Sequence, residues 1–218
     1  MSKKSLLDEM IAQTKISKKN TDKQQKIAET AVKMFAEKGY ANTSTSEIAK
    51  GAGVAEGTIF RHYGTKDNLL LAVILPFIKE SLPSMAENVI KEVYSEDKSF
   101  EEFLKAFLQN RWYFIFDNQE LFKVIVKELL YSEDLKKELL PFFSETVLKR
   151  LLKIINLYKG RGELSDLPSD KILKMMFTLI AGYFVSSFVL SLEPSTNVPT
   201  DEINQLVQFI MNGIRKEI

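Results

Sequence analysis

The sequence predicts an all-α protein, and three observations predict it. Apolar side chains recur at helical spacing along most of the 218 residues, and no segment sustains strand-type alternation. Two Ser-x-x-Glu pairs, Ser44 with Glu47 and Ser99 with Glu102, have the form of capping boxes at helix starts. Gly39, Gly53 and Gly160 stand where periodic stretches end, the place for a residue that tolerates a left-handed cap.

The first helix lies in KQQKIAETAVKMFAEKGY, where Ile27, Ala31, Met34 and Phe35 form one apolar stripe. Ser44 and Glu47 open the next, with Ile48 and Ala49 behind them, and a second short helix spans Ala55 to about Tyr63. Thr65 caps a longer helix through LLLAVILPFIKESL, with a bend expected at Pro76. FLKAFLQNRWYFIF follows the second capping box, and a further helix covers about Gln119 to Tyr131. LKKELLPFFSETVLKRLLKIINLYKG reads as helix interrupted at Pro141, and GRGELSDLP as a turn-rich connector. SDKILKMMFTLIAGYFVSSFVLSL and DEINQLVQFIMNGIRKEI, separated by the loop EPSTNVPT, complete the set. Three parts are expected: a flexible basic extension over 1–20, a three-helix domain over 21–68 and a helical domain over 69–218. In the extension, Lys3, Lys4, Lys15, Lys18 and Lys19 belong either to a disordered tail or to an arm stiffened by Leu6, Leu7, Met10 and Ile11.

Composition narrows the function. With no cysteine, thiolate metal sites, disulfides and cysteine nucleophiles are excluded. No metal or cofactor is expected, because there is no Gly-rich phosphate loop, no nucleophile elbow and only one histidine. The N-terminal residues lack a long apolar run and a small-residue cleavage site, so a cytoplasmic location is the expectation. Charge is uneven: residues 1–70 hold 12 Lys/Arg against 8 Asp/Glu (+4), and the remainder 18 against 21 (−3). Any polyanion is expected at the N-terminal end.

The helix pair from Thr45 to about Tyr63 carries the strongest signal. Two helices of about two turns join at Gly53, with Ala49 small at the crossing and Ile48, Val54 and Ile59 turned inward. This is the spacing of a DNA-binding helix-turn-helix, whose second helix enters the major groove. That helix then presents Glu56, Gly57, Thr58, Arg61 and His62 outward; arginine and histidine can donate to purine edges. Thr43, Ser44 and Thr45 open the first helix of the pair, where hydroxyls and free amides suit a phosphate. Lys66 sits in a first helical turn, where a cation costs ~0.3–1 kcal/mol without a nearby anion. It is either a solvated lysine or the partner of a DNA phosphate.

GYANTSTSEIAKGAGVAEGTIFRHYGTKDNLL resembles the DNA-binding domain of the tetracycline-repressor (TetR) family of bacterial regulators. The carrying elements are Gly39-Tyr40, Thr43 to Thr45, Ile48-Ala49, Ala52-Gly53-Val54, Gly57 to Phe60, His62-Tyr63 and Lys66. The resemblance implies a homodimer on a palindromic operator. It places Gly57, Thr58, Phe60 and His62 at bases or adjacent backbone, and Thr43, Thr45, Tyr63 and Lys66 at phosphates. The family usually has tyrosine at the position of Phe60 and phenylalanine at that of Tyr63, so the phosphate bond of that first hydroxyl is missing here.

The C-terminal part is aromatic, with eleven rings between residues 100 and 143. Rings at helical spacing are either core or the lining of an apolar cavity. The resemblance implies that such a cavity binds a small hydrophobic effector; the expected lining is Phe77, Phe103, Phe107, Trp112, Phe116, Phe122, Phe143 and Met176. Arg111 and Glu128, inside apolar helices, either meet a charged ligand group or pair at the surface. No charged residue occurs from Met175 to Leu192, yet the stretch carries Thr178, Ser186, Ser187 and Ser191 without interfacial belts, unlike a membrane span. Pairing with a second subunit accounts for its apolarity and its small residues. With the resemblance, residues 169–192 and 200–216 of each subunit are expected to form a four-helix dimer interface through Phe177, Ala181, Phe184, Phe188, Leu206, Phe209 and Ile210.

The resulting expectation is a cytoplasmic bacterial transcriptional regulator, a dimeric repressor released from double-stranded operator DNA by its effector. An activator or effector-independent regulator of the same fold is the alternative; an enzyme or helical adaptor would leave Arg61, His62 and Lys66 unexplained.

Overall fold

A computed structural model describes residues 22–191 and 198–215, so the basic extension over 1–20 lies outside the described residues. Ten α-helices occur among them: α1 Asp22–Lys38, α2 Thr45–Ala52, α3 Glu56–Tyr63, α4 Lys66–Val93, α5 Phe100–Asp117, α6 Gln119–Tyr131, α7 Glu133–Phe143, α8 Lys149–Gly160, α9 Ser169–Val185 and α10 Thr200–Ile214. Pairing of extended backbone is limited, among these residues, to one antiparallel bridge between Leu164 and Arg215.

Two compact units emerge. The first holds the described residues up to Ser81 together with Glu120–Ile125; the second holds Leu82–Gln119 and the residues from Val126 onward. The division after Ser81 falls inside α4, which runs unbroken through Pro76 and Pro83.

In the first unit, Ile27, Ala31 and Phe35 of α1, Ile48 and Ala49 of α2, Ile59 of α3 and Leu69, Leu70 and Ile74 of α4 are buried. Gly39 (φ 82°) ends α1, and Gly53 (φ 68°) turns α2 into α3, both in the left-handed region where a Cβ is strained. Gly51 has a different task. A Cβ there would stand 2.8 Å from Thr30 Cγ2 and 3.0 Å from Met34 Cε, so α2 approaches α1 closely at this glycine.

In the second unit α10 packs on α5, and α9 on α8. Both capping boxes form, at Ser44/Glu47 and Ser99/Glu102. Pro141 does not break its helix. The chain passes through it and re-registers as a π-helical turn over Ser144–Leu148 before α8. A proline removes one N–H and crowds the carbonyl four residues back, here that of Lys137, yet the helix continues to Phe143. A second π turn, Ser186–Leu190, extends α9.

Three expected interface residues belong to this core instead. Phe184 and Phe188 lie one turn apart and face inward, the Phe188 ring 4.6 Å from that of Trp112. Ile210 is buried with Ile203, Val207, Met211 and Ile214 along the inner stripe of α10. Phe209, one residue earlier, is 67% exposed, and Ala181 and Leu206 are half-buried. Phe177 leans on Phe143 at 6.1 Å. The apolar face left open on α9 is a neighbouring stripe, Met175, Leu179, Gly182 and Ser186, continued by Leu190 at 73% exposure.

Candidate nucleic-acid interface

The α2–α3 pair is built from short-range instructions. Ser44 Oγ accepts from the Glu47 amide (3.1 Å), while Glu47 Oε2 accepts from the Ser44 amide (2.9 Å) and from its hydroxyl (2.9 Å). Lys38 Nζ lies 2.9 Å from Glu47 Oε1. The Ser44 backbone N–H, then Lys38, then the Ser44 hydroxyl pull the Glu47 carboxyl from 4.5 to about 2. A depressed carboxyl stabilises the fold above its unfolded value and loses that contribution on acidification. Glu47→Gln should therefore flatten the pH dependence of stability between 4.5 and about 2, as read by urea unfolding at several pH values; an unchanged acid limb would refute the assignment.

The hydroxyls expected to face phosphates are mostly engaged within the fold. Thr43 is 2% exposed, its Oγ1 placed to donate to the carbonyl of Gly39 (2.9 Å) or Met34 (3.2 Å), so it stabilises the turn from within. Ser44 serves the cap. Thr45 Oγ1 donates to Glu56 Oε1 at 2.6 Å, tying α2 to the first turn of α3.

Lys66 adopts neither expected arrangement. Its Nζ donates to the carbonyls of Tyr40 (2.9 Å) and Thr43 (3.0 Å) and stands 4.1 Å from the Tyr40 ring centroid. Carbonyl oxygens and a ring face supply counter-charge that a cation in a first helical turn otherwise lacks. The Tyr40 hydroxyl also donates to Asp67. Tyr40 is thus a structural hub, and its Gly-aromatic context was the available signal for it.

Beside this cluster opens a concavity of about 560 Å³, lined by Ala41, Asn42, Thr43, Ser44, Thr45, Glu47, Phe60, Gly64, Thr65 and Lys66. The first turns of α2 and α4 both reach it, and first-turn amides have no intrahelical acceptor. Thr65 caps α4 by accepting from the Asn68 amide (3.0 Å). Phe60, 49% exposed, offers a ring on the same wall. Next to it α3 shows Gly57, Arg61 and His62 exposed and Glu56, Thr58 and Tyr63 half-buried; burial pushes the Tyr63 phenol up. Ten of the eleven expected DNA-facing residues present some surface, and Thr43 is buried.

Residues 27–73 match the family model described as bacterial regulatory proteins, tetR family. YuxN of Bacillus subtilis, an HTH-type transcriptional regulator, is 24% identical over 198 residues, covering 88% of this chain and 62% of YuxN. Over residues 27–73 the chain is thus similar to the tetR family, and its longer relatives are transcriptional regulators. The transcriptional repressor AcnR of Corynebacterium glutamicum is similar over nearly its whole length, at 25% identity across 91% of this chain and 95% of AcnR. Among solved structures, the tetR-family repressor FadR of Thermus thermophilus, in complex with lauroyl-CoA, shares the fold (TM-score 0.57, 21% identity, 87% of this chain and 94% of that one). The chain spans less than two thirds of YuxN, and 42% of a fatty acid metabolism regulator protein of B. subtilis that is 31% identical over 81 residues. Relatives and fold are those of regulators rather than enzymes.

The expected effector residues divide between the two units. Phe77 and Phe122 belong to the first unit. Phe103 stacks on Phe107 and meets Tyr158 at 5.9 Å. Trp112 packs among Tyr183, Phe184 and Phe188, its indole N–H buried without a partner among the described residues. Phe143 sits by Phe177, Met176 is buried and Phe116 half-buried. Arg111 lies 4.7 Å from the Phe114 ring and donates to Asn110; burial lowers its guanidinium to about 10. Glu128 pairs with Lys127 at 3.8 Å.

Proposed function

We propose that the chain is a homodimeric, cytoplasmic repressor that holds a palindromic operator with two copies of α3 and lets go when a small hydrophobic effector binds its second unit. One observation carries this reading: exposed Arg61 and His62 on α3 lie beside a concavity reached by two helix N-termini and edged by Lys66. Arg61 and His62 donate to base edges, while the first-turn amides of α2 and α4 and the remaining Lys66 proton take phosphates. Two such surfaces on a two-fold axis fit half-sites roughly 34–36 Å apart. The open stripe on α9 with Phe209 of α10 supports the second copy. Aromatic density in the second unit and the unpartnered Trp112 N–H support an apolar effector carrying a hydrogen-bond acceptor. Its binding would favour a dimer whose two recognition helices no longer match successive grooves.

Full-length protein is tested against fragments of its own chromosome over a range of salt. Binding should weaken linearly on logarithmic axes, with a slope near −0.9 per phosphate neutralised. Arg61→Ala and His62→Ala should each cost about 1–3 kcal/mol and relax preference at particular base pairs. Lys66→Ala should weaken every sequence alike, reduce the salt slope by about one and lower Tm as well, because two carbonyls lose their donor. Absence of binding to any fragment at low ionic strength overturns the reading.

A further inference from the structure

Glu56 is out of place on a surface meant for a polyanion. It occupies the first turn of α3, the helix whose last turn carries the exposed Arg61 and His62. Among the described residues no cation pairs with it; its one partner is a neutral hydroxyl, Thr45 Oγ1, 2.6 Å from Oε1. That bond comes from the neighbouring helix and fixes the carboxylate's direction, while Oε2 keeps its lone pairs unspent. A carboxylate so placed repels phosphate and is favourable against a duplex only where it meets a donor.

From these facts, and resting on the DNA-binding reading above, we infer that Glu56 is a specificity determinant that selects cytosine in the operator. In the major groove, guanine offers only acceptors and thymine an acceptor and a methyl group, so both repel or waste a carboxylate. Adenine has an amino donor, but its N7 acceptor stands beside it and opposes the second oxygen. Cytosine N4 is an amino donor flanked by a carbon-bound hydrogen, and it alone accepts the carboxylate without conflict. Thr45 is the positioning residue. The same charge lowers affinity for DNA lacking cytosine at that place, so Glu56 sharpens selection by rejection as well as by contact.

The experiment is selection of a randomised double-stranded DNA library by the full-length protein and by Glu56→Gln, followed by binding of the enriched duplexes and of sonicated genomic DNA. Wild type should enrich cytosine at one symmetric pair of positions and prefer it roughly tenfold or more over the other bases. Glu56→Gln, which gains an amide donor and keeps an acceptor, should move that preference to adenine and bind sonicated DNA more tightly. Thr45→Val should blunt the cytosine preference without redirecting it. The same enriched base at every position in wild type and Glu56→Gln overturns the inference and leaves the DNA-binding reading standing. A wild type that enriches nothing overturns both.

Discussion

Phe188→Ala lowers the free energy of unfolding by about 3–5 kcal/mol, the range for removing a fully buried phenylalanine. Phe188 has no exposed surface, and its ring lies 4.6 Å from Trp112 and 6.4 Å from Phe184. Deleting it opens a void between α5 and the π turn that ends α9, and leaves the Trp112 indole, with its unpartnered N–H, against a cavity. The expected result is a large drop in the urea midpoint with an unchanged slope, independent of protein concentration. Concentration matters because an interface residue would behave otherwise: its removal lowers apparent stability through mass action, and the loss varies with dilution. A deficit under 1 kcal/mol, or one that changes with dilution, would return Phe188 to the subunit surface.

That assignment shows where a sequence stops being legible. The helices, the two capping boxes and the Gly53 turn follow from neighbours within four residues, and they stand where local chemistry predicts them. The outward set on α3 was legible for the same reason: an eight-residue helix with Ile59 as its buried residue leaves little choice of face. The stretch 175–190 is apolar all round, so composition does not say which stripe meets the core; only the position of Trp112 on another helix decides it. Gly51 was silent because its demand arises from Thr30 and Met34 across a helix crossing. Thr43 and Lys66 were read as surface groups, and both turn to carbonyls of the 39–43 turn, an arrangement that depends on where α4 begins relative to α1. Local periodicity therefore locates an element's ends well and its partner poorly.

Leu179→Glu should convert the proposed dimer to monomer while leaving the fold intact. Leu179 shares the open stripe of α9 with Met175, Gly182 and Ser186; the small residues permit close approach, and the large ones are exposed at 56% for Met175 and 38% for Leu179. Burying the exposed 38% of Leu179 is worth about 0.6–1.1 kcal/mol, and a two-fold axis counts every change twice. Losing both contacts alone should weaken association by about 1–2 kcal/mol, roughly fivefold to fortyfold in the dissociation constant. Two carboxylates placed near each other across the axis add repulsion. Sedimentation velocity at micromolar concentration should show a single species of monomer mass for the variant and of twice that mass for the wild type. Operator binding should fall in parallel, because one α3 holds only one half-site. Unfolding of the variant at low concentration should match that of wild type diluted to monomer, since the position is open in the single chain. A variant that remains dimeric would move the interface away from α9, and with it the two-fold spacing on which operator recognition depends.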